Sequence, residues 1–184
     1  MRRDHVFALA SFLAVAGPAQ AQMHGGPQQS GHMHPTGPYT GYEQRQIKAL
    51  SDQQIADLRA GRGMGLALPA ELNSYPGPLH VMEMADALAL TDDQRTRTKA
   101  LFKAMKAETI PLGERIIEEE TALDHLFAER TITPDALTAA TSLIGALQGE
   151  LRAAHLRYHL TMHDLLTPEQ IARYNKMRGY RERN

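Results

Sequence analysis

The sequence predicts an all-α fold, a bent antiparallel helical hairpin with short flanking helices. Two long stretches, 102–126 and 137–165, carry mainly apolar side chains at alternating spacings of three and four, the repeat of one helix face. Only a short link, 130–133, separates them, so the two helices are expected to be antiparallel neighbours. Pro111 lies inside the first stretch and should bend that helix, because proline removes one backbone hydrogen bond and clashes with the preceding turn.

The first 21 residues are typical of a cleavable signal peptide. Arg2 and Arg3 precede an apolar run, 6–16, and positions 19–21 read Ala-Gln-Ala, a small-x-small cleavage site. The run is too short to cross a hydrocarbon core about 30 Å thick as a helix. We therefore expect 1–21 to be removed on export to the periplasm.

The next segment, 22–41, is predicted to be disordered. It consists mainly of Gly, Pro, Gln, Ser, His and Met, so side-chain burial cannot offset the chain entropy that folding would remove. Imidazole and thioether groups are ligands for copper, and imidazole alone also suits zinc or nickel. The segment therefore predicts a flexible metal-binding tether, and a solvated tail without metal affinity is the alternative. Its candidate ligands are Met23, His24, His32, Met33 and His34.

Short helices are predicted to precede the hairpin within one helical domain, 42–180. Ser51 is expected to cap one of them, and the sequence Pro-Gly-Pro at 76–78 is expected to break the chain and start another. A basic tail, 181–184, follows the domain. The predicted short helices span about 43–49, 52–60, 66–73 and 78–89.

Each long helix is predicted to bury one apolar seam against its partner. Thr133 should cap the second helix, with Pro134 at its first position. The seam of the first helix comprises Phe102, Met105, Thr109, Leu112, Ile116, Glu119, Leu123 and Leu126. The seam of the second comprises Leu137, Ala140, Ile144, Leu147, Leu151, Ala154, Tyr158, Thr161 and Leu165.

A five-residue motif recurs at three predicted helix starts. The sequence LTDDQ at 90–94 returns as LTPEQ at 166–170, and a serine version, LSDQQ, stands at 50–54. In each copy the hydroxyl can accept a hydrogen bond from the first helical turn, and the Gln three residues on can bond back to the N–H of the capping residue. Each copy therefore predicts a capping box, and the last one opens a short helix over 168–178.

The sequence carries two LTxxQ copies and is predicted to form an exported, helical chain. It therefore resembles the LTxxQ family of bacterial periplasmic proteins. This family includes Spy/CpxP-like chaperones, envelope-stress accessory proteins and heavy-metal-sensing relatives. The resemblance implies a Spy/CpxP-like bent cradle of two helices, which pairs antiparallel with a second copy into a shallow concave homodimer. It also implies, for the metal-sensing relatives, mixed His/Glu/Met coordination from more than one helix.

Three histidines on the second long helix are candidate metal ligands. His155, His159 and His163 follow one another at intervals of four, which places neighbouring pairs about 5–6 Å apart at Cβ. Each step drifts by about 40° around the helix, so we do not expect all three to bind one ion. The alternative is a polar helix flank with solvated imidazoles. Further candidate ligands share one face of the predicted 78–89 helix: His80, Glu83 and Met84.

No catalytic constellation emerges, so no enzymatic activity is expected. The chain has no cysteine, and removal of 1–21 changes its formal net charge only from −1 to −2, which argues against a nucleic-acid partner. We expect a periplasmic protein of envelope or heavy-metal stress that binds or senses metal, with no obligatory cofactor and copper, zinc or nickel as the possible ion. The alternative is an ATP-independent holdase chaperone. Expected partners are accordingly metal ions, unfolded periplasmic clients or a membrane-bound stress sensor.

Overall fold

A computed structural model describes residues 37–180, and this part of the chain is all-α, as predicted. The predicted signal peptide, positions 22–36 of the predicted disordered segment and the basic tail lie outside the described residues. The elements are a 3₁₀ helix Tyr42–Gln44, α1 Asp52–Arg59, α2 Leu68–Glu71, α3 Pro78–Glu83, α4 Asp92–Ala128, α5 Pro134–Leu165 and α6 Pro168–Arg178.

The helices α4 and α5 pack against each other as the predicted hairpin. The turn between them contains Arg130 at a φ of 57°, and the hydroxyl of Thr133 accepts a hydrogen bond from the N–H of Ala136 at 3.2 Å. Helix α4 continues through Pro111, whose nitrogen cannot donate to the carbonyl of Ala107. The link 130–133 is thus short enough to make the two helices neighbours.

All three copies of the repeated motif form capping boxes, as predicted. In the copy at the start of α4, the N–H of Gln94 donates to the hydroxyl of Thr91 at 3.2 Å, and the N–H of Thr91 donates to Oε1 of Gln94 at 3.1 Å. The same pair of bonds opens α1 at Ser51 and α6 at Thr167. The motif therefore acts locally as a helix start.

The copies that begin α4 and α6 also bind each other through their glutamines. Nε2 of Gln94 donates to Oε1 of Gln170 at 2.8 Å, and Nε2 of Gln170 donates to Oε1 of Gln94 at 3.0 Å. The same two amide groups also donate to the carbonyls of Leu165 and Leu88. Among residues 37–180, Gln54 of the serine copy forms only its own capping box. The two threonine copies therefore join two helix starts that are distant in sequence.

Two hydrophobic clusters hold the helices together. One cluster fixes residues 47–58 on the middle of the hairpin, and the other fixes residues 81–90 and α6 on its open end. The first consists of Ile47, Leu50, Ile55, Leu58, Ile116, Ile117, Leu147 and Leu151. The second consists of Val81, Leu88, Leu90, Met162, Leu166 and Tyr174.

The predicted helix over 43–49 is wrong, since only the 3₁₀ helix Tyr42–Gln44 forms there. The segment offers two buried side chains, Ile47 and Leu50, and both belong to the first cluster. The N–H of Leu50 donates to the carbonyl of Ile47 at 3.1 Å, so the backbone turns between them. This turn directs both side chains into the core. A helix over 43–49 would not do so, because it would have no apolar face.

Two further flanking helices are shorter than predicted. The 66–73 helix is reduced to the four residues of α2, and Ser74 just beyond it takes a φ of 71°. The 78–89 helix ends with α3, and Ala89 takes a φ of 52°. These left-handed conformations exclude a right-handed helix at Ser74 and Ala89, although α2 and α3 already end before them, at Glu71 and Glu83.

The predicted seam of α5 is buried only from Ile144 to Ala154, because Leu137 is exposed and Ala140, Tyr158 and Leu165 are half-buried. The buried face then continues to His155, His159 and Met162, whereas Thr161 is exposed. This end of α5 is covered by α2 and α3, which pack on the side where the histidines lie. The imidazoles are therefore part of the interior.

Candidate functional site

A cavity of about 350 Å³ lies beside α5, under the glycine-rich turn 61–65 and the start of α3. Side chains from α2, α3, α4 and α5 line it, so it is built by the packing of the whole described bundle. Its polar and charged lining residues are Arg62, Glu71, His80, Lys106, His155, His159, Arg178 and Tyr180. Its apolar lining residues are Met64, Ala67, Leu68, Pro78, Leu79, Phe102 and Met105.

Glycine at the start of the turn allows the backbone to approach α4. Gly61 has a φ of 56°, and a Cβ there would lie 2.6 Å from Oγ1 of Thr109 and 3.0 Å from Cγ1 of Ile110. Any side chain at this position would therefore push the turn away from α4. The sequence Gly-Arg-Gly-Met-Gly at 61–65 thus forms one wall of the cavity.

His155 is buried in this site. The residue is only 3% exposed, and its Nε2 is buried without a hydrogen-bond partner among residues 37–180. The ring lies near Gly63, where a Cβ would be 3.8 Å from Nδ1. Burial lowers the pKa of His155, and the nearby His159 and Lys106 lower it further. His155 is therefore held as a neutral imidazole.

His159 is buried one turn later and is oriented by the backbone. Its Nδ1 lies 2.7 Å from the carbonyl oxygen of Tyr75, a geometry in which the ring donates its Nδ1 proton. In the tautomer that carries its proton on Nδ1, the lone pair of the ring is on Nε2. A Cβ at Gly77 would lie 2.8 Å from Cε1 and 2.9 Å from Nε2 of this imidazole. The alternative of a solvated flank is therefore wrong for His155 and His159.

A buried carboxylate, Glu71, connects the site to the C-terminal helix. Its Oε1 accepts hydrogen bonds from the hydroxyls of Tyr174 and Tyr180, and Arg178 Nε lies 3.7 Å from the same oxygen. Its Oε2 lies 3.8 Å from Nδ1 of His159 and has no hydrogen-bond partner among residues 37–180. Burial and then the hydrogen bond to Glu71 raise the pKa of Tyr174 far above its ordinary value. The carboxylate thus joins α2 to the end of α6.

Two positively charged side chains of the cavity, Lys106 and Arg62, lie close to each other. The ammonium group of Lys106 donates to the carbonyl of Ala60, at the end of α1, and Arg62 lies in the adjacent turn. Burial lowers the pKa of Lys106, and the charge of Arg62 lowers it further. The cavity therefore has a cationic end near His155 and an anionic group near His159.

The other predicted ligands are not brought to the same point. His163 stacks on Tyr75 with ring centroids 4.4 Å apart, and Met84 packs against the second hydrophobic cluster. His80 lines the cavity, but its Nδ1 is 3.1 Å from Oε2 of Glu83. Within residues 37–180 there is no group of three or more His, Cys, Asp or Glu side chains that could hold a metal ion. The remaining predicted ligands, Met23, His24, His32, Met33 and His34, lie outside the described residues.

Several residues of the site were missed by sequence reasoning, among them Gly77, Glu71, Lys106 and Tyr174. Gly77 carried a weak signal, because a glycine between two prolines indicates a place where no side chain fits. Glu71, Lys106 and Tyr174 carried none, since charged and aromatic residues at these spacings are equally typical of a solvated or a packed helix face. Only the tertiary packing brings them to the histidines.

Both threonine copies of the motif lie within a region, 77–178, that matches the model of the LTXXQ motif family. The match spans more than half of the chain. The chain belongs to the LTXXQ motif family. Neither the curated proteins nor the solved structures include a significant match to it.

The LTXXQ region contains one part of the cavity and leaves out the other. It includes Gly77, Lys106, His155 and His159, whereas the turn 61–65 and Glu71 precede it, as does Tyr75. LTXXQ proteins are typically extracellular or periplasmic and are associated with stress. No helix within residues 37–180 combines the length and apolar character needed to span a membrane.

Proposed function

We propose that this LTXXQ protein is a non-catalytic, metal-binding accessory protein of the periplasmic stress response, and that His155 and His159 are its central ligands. The observation that supports this proposal best is the burial of two imidazoles, one helical turn apart, in the wall of one cavity. Imidazoles at this spacing can share one ion. Sensing and buffering of metal both begin with such a site.

The environment of His159 suits a metal ligand. A ligating imidazole usually donates its other N–H to a carbonyl or carboxylate, which fixes the tautomer and the ring orientation. The carbonyl of Tyr75 provides this acceptor, and Gly77 leaves room for the ring edge that carries Nε2. The lowered pKa of His155 also favours ligation, because only a neutral imidazole binds metal.

Copper is the ion that we propose. Structural zinc sites almost always have four protein ligands, whereas the described part of the chain offers no cluster of even three His, Cys, Asp or Glu groups. Copper binds nitrogen ligands more tightly than nickel or zinc does, and Cu(I) also accepts thioethers. Met64 and Met105 line the same cavity. His24, His32, Met33 and His34 are proposed as further copper ligands in the N-terminal segment.

The test is the copper-induced rise in melting temperature of the mature protein, compared with the effects of zinc and nickel. The N-terminal ligands are first replaced by serine, so that only the helical site remains. A ligand that binds the folded state alone should stabilise it by about 2.7 kcal/mol at a hundredfold excess over Kd. The double substitution His155→Ala/His159→Ala should abolish this gain.

The control is His125→Ala, which removes an exposed imidazole that does not line the cavity. This variant should retain the full copper effect. A copper effect that is absent, or that survives the loss of His155 and His159, would refute the helical site. A larger effect of zinc or nickel would refute the choice of copper.

A second candidate function is the ATP-independent holdase, and one observation favours it. Apolar side chains at the closed end of the hairpin are exposed, among them Phe127, Leu137 and Leu143. Such a surface could take up an unfolded client or a second copy of the chain, as a homodimer requires. Suppression of aggregation of a reduced model substrate without nucleotide, lost on Phe127→Ser/Leu137→Ser, would support the holdase. Copper binding does not depend on either residue.

A further inference from the structure

We propose that the cavity also binds a small organic carboxylate with an apolar body, and that Lys106 and His155 hold its charged end. This inference goes beyond the proposed metal site and does not require a bound ion. Three features carry it: an ammonium group without a carboxylate partner among the described residues, a buried imidazole Nε2 without a hydrogen-bond partner among them, and the apolar remainder of the cavity wall.

Lys106 is the cation whose charge is not neutralised. An ammonium group has three N–H donors, and one of them is used on the carbonyl of Ala60. Arg62 lies 2.6 Å from a carboxylate oxygen of Asp57, and Arg178 lies beside Glu71. No carboxylate among residues 37–180 lies within ion-pair distance of the Lys106 ammonium. Two of its donors therefore remain for a ligand.

His155 provides the neighbouring donor. Nε2 of this ring is buried without a hydrogen-bond partner among residues 37–180, and in the tautomer that carries its proton there it can donate to a ligand. A buried polar group without a partner is destabilising, so a ligand that bonds to it removes an existing penalty. A cationic ligand at this place would be repelled by Lys106 and Arg62. An anion is attracted by both.

The rest of the wall determines the shape of the ligand. Phe102, Met105, Leu68 and Leu79 line the same cavity, and its volume of about 350 Å³ is in the range of small-molecule sites. A phosphate or sulfate ion would leave this apolar surface unused, and its higher charge would need more donors than Lys106 and His155 supply. A monocarboxylate with an aliphatic or aromatic body satisfies both parts of the cavity.

The experiment is calorimetric titration of the metal-free mature protein with octanoate, and with octanol as the neutral probe of the same length. Octanoate should bind measurably more tightly than octanol. Because a hydrogen bond to a charged group is worth about 1.5–3 kcal/mol, Lys106→Met should weaken octanoate binding by roughly tenfold or more. His155→Phe should also weaken it. Lys103→Met, which removes an exposed lysine from the same helix, should leave it unchanged.

Several results would overturn the proposal. Equal affinity for octanol and octanoate would mean that the carboxylate is not recognised, and equal effects of Lys106→Met and Lys103→Met would mean that Lys106 does not hold it. Octanoate binding that appears only after copper is added would make the anion a ligand of the metal, which also contradicts the proposal. Octanoate binding without any copper binding would contradict the metal site alone.

Discussion

At the scale of single residues, burial changes the chemistry of the two central histidines. His155 and His159 are polar side chains on a helix that could equally have faced water, yet both lie in the interior. For His155 the consequence is a lowered pKa, caused first by burial and then by the nearby His159 and Lys106. The folded state therefore prefers the neutral ring.

This preference predicts how the stability of the metal-free protein depends on pH. The pKa of His155 is lower in the folded state than the unfolded value of about 6.5, so the unfolded chain takes up a proton first as the pH falls. The free energy of unfolding should therefore decrease below about pH 6.5 until the folded pKa is reached. Urea denaturation at several pH values, with EDTA present, measures this decrease.

Two variants identify the source of that pH dependence. His155→Phe should flatten it by up to one proton, because the substituted ring cannot titrate. His125→Gln removes an exposed histidine from the hairpin and should leave the profile unchanged. If His155→Phe and the parent protein show the same slope between pH 7 and 5, the burial of a neutral His155 is wrong.

Glycine is predicted to be required at position 77 because a side chain there has no room, and not because of the backbone conformation. Its φ of −87° suits any residue, but a Cβ would lie 2.8 Å from the buried ring of His159. Gly77→Ala should destabilise the protein by about 1–3 kcal/mol, since the ring has to move in a packed interior. Gly149→Ala, where no atom lies within 4 Å of the added Cβ, should instead stabilise α5 by up to about 1 kcal/mol.

A double-substitution cycle tests the reason for the loss. If the imidazole is the obstacle, Gly77→Ala should cost much less in a His159→Ala background. The free energies of unfolding of the four proteins give the coupling directly. An undiminished cost in that background would show that Gly77 is required for something other than the ring.

At the scale of helices, the repeated motif has a second role that its sequence does not reveal. Each copy caps its own helix, but the copies of α4 and α6 also exchange hydrogen bonds through Gln94 and Gln170. Glutamate could replace glutamine as the acceptor of a capping box. It could not donate to the opposite copy, so the pairing of two helix starts explains the amide.

The pairing predicts a difference between two otherwise similar substitutions. Gln94→Glu keeps the bond from the N–H of Thr91 but loses the donors to Gln170 and Leu165, and should cost about 1–3 kcal/mol. Gln54→Glu, in the copy without a partner, should change stability little, because an acidic group near a helix start is favourable. Equal effects in thermal or urea denaturation would mean that the paired glutamines do not stabilise the fold.

The elements that the sequence predicted well are those with strong local signals. The capping residues and the link 130–133 define the ends of α4 and α5, and the apolar spacing defines their type. The cavity depends on a different kind of information. Local patterns placed His155 and His159 on one helix. Tertiary packing decides which side of that helix α2 and α3 cover, so the burial of the two histidines was not predictable.

At the scale of the whole molecule, the stabilising contacts are concentrated away from the closed end of the hairpin. Both hydrophobic clusters lie toward the open end and the middle, and no residue from 118 to 143 is buried. The end of the hairpin is therefore held mainly by its own helical hydrogen bonds. A single copy of the chain should tolerate changes there far better than in the middle of α5.

Two leucines on α5 test this uneven distribution. Leu147 is 1% exposed in the first cluster, and Leu147→Ala should cost about 2–5 kcal/mol, because it removes buried methyl groups and leaves a cavity. Leu137 is 39% exposed near the hairpin turn, and Leu137→Ala should cost less than about 1 kcal/mol. Urea denaturation at low protein concentration measures both. A large cost for Leu137→Ala that grows with protein concentration would contradict this expectation and would mean that a second copy covers the closed end.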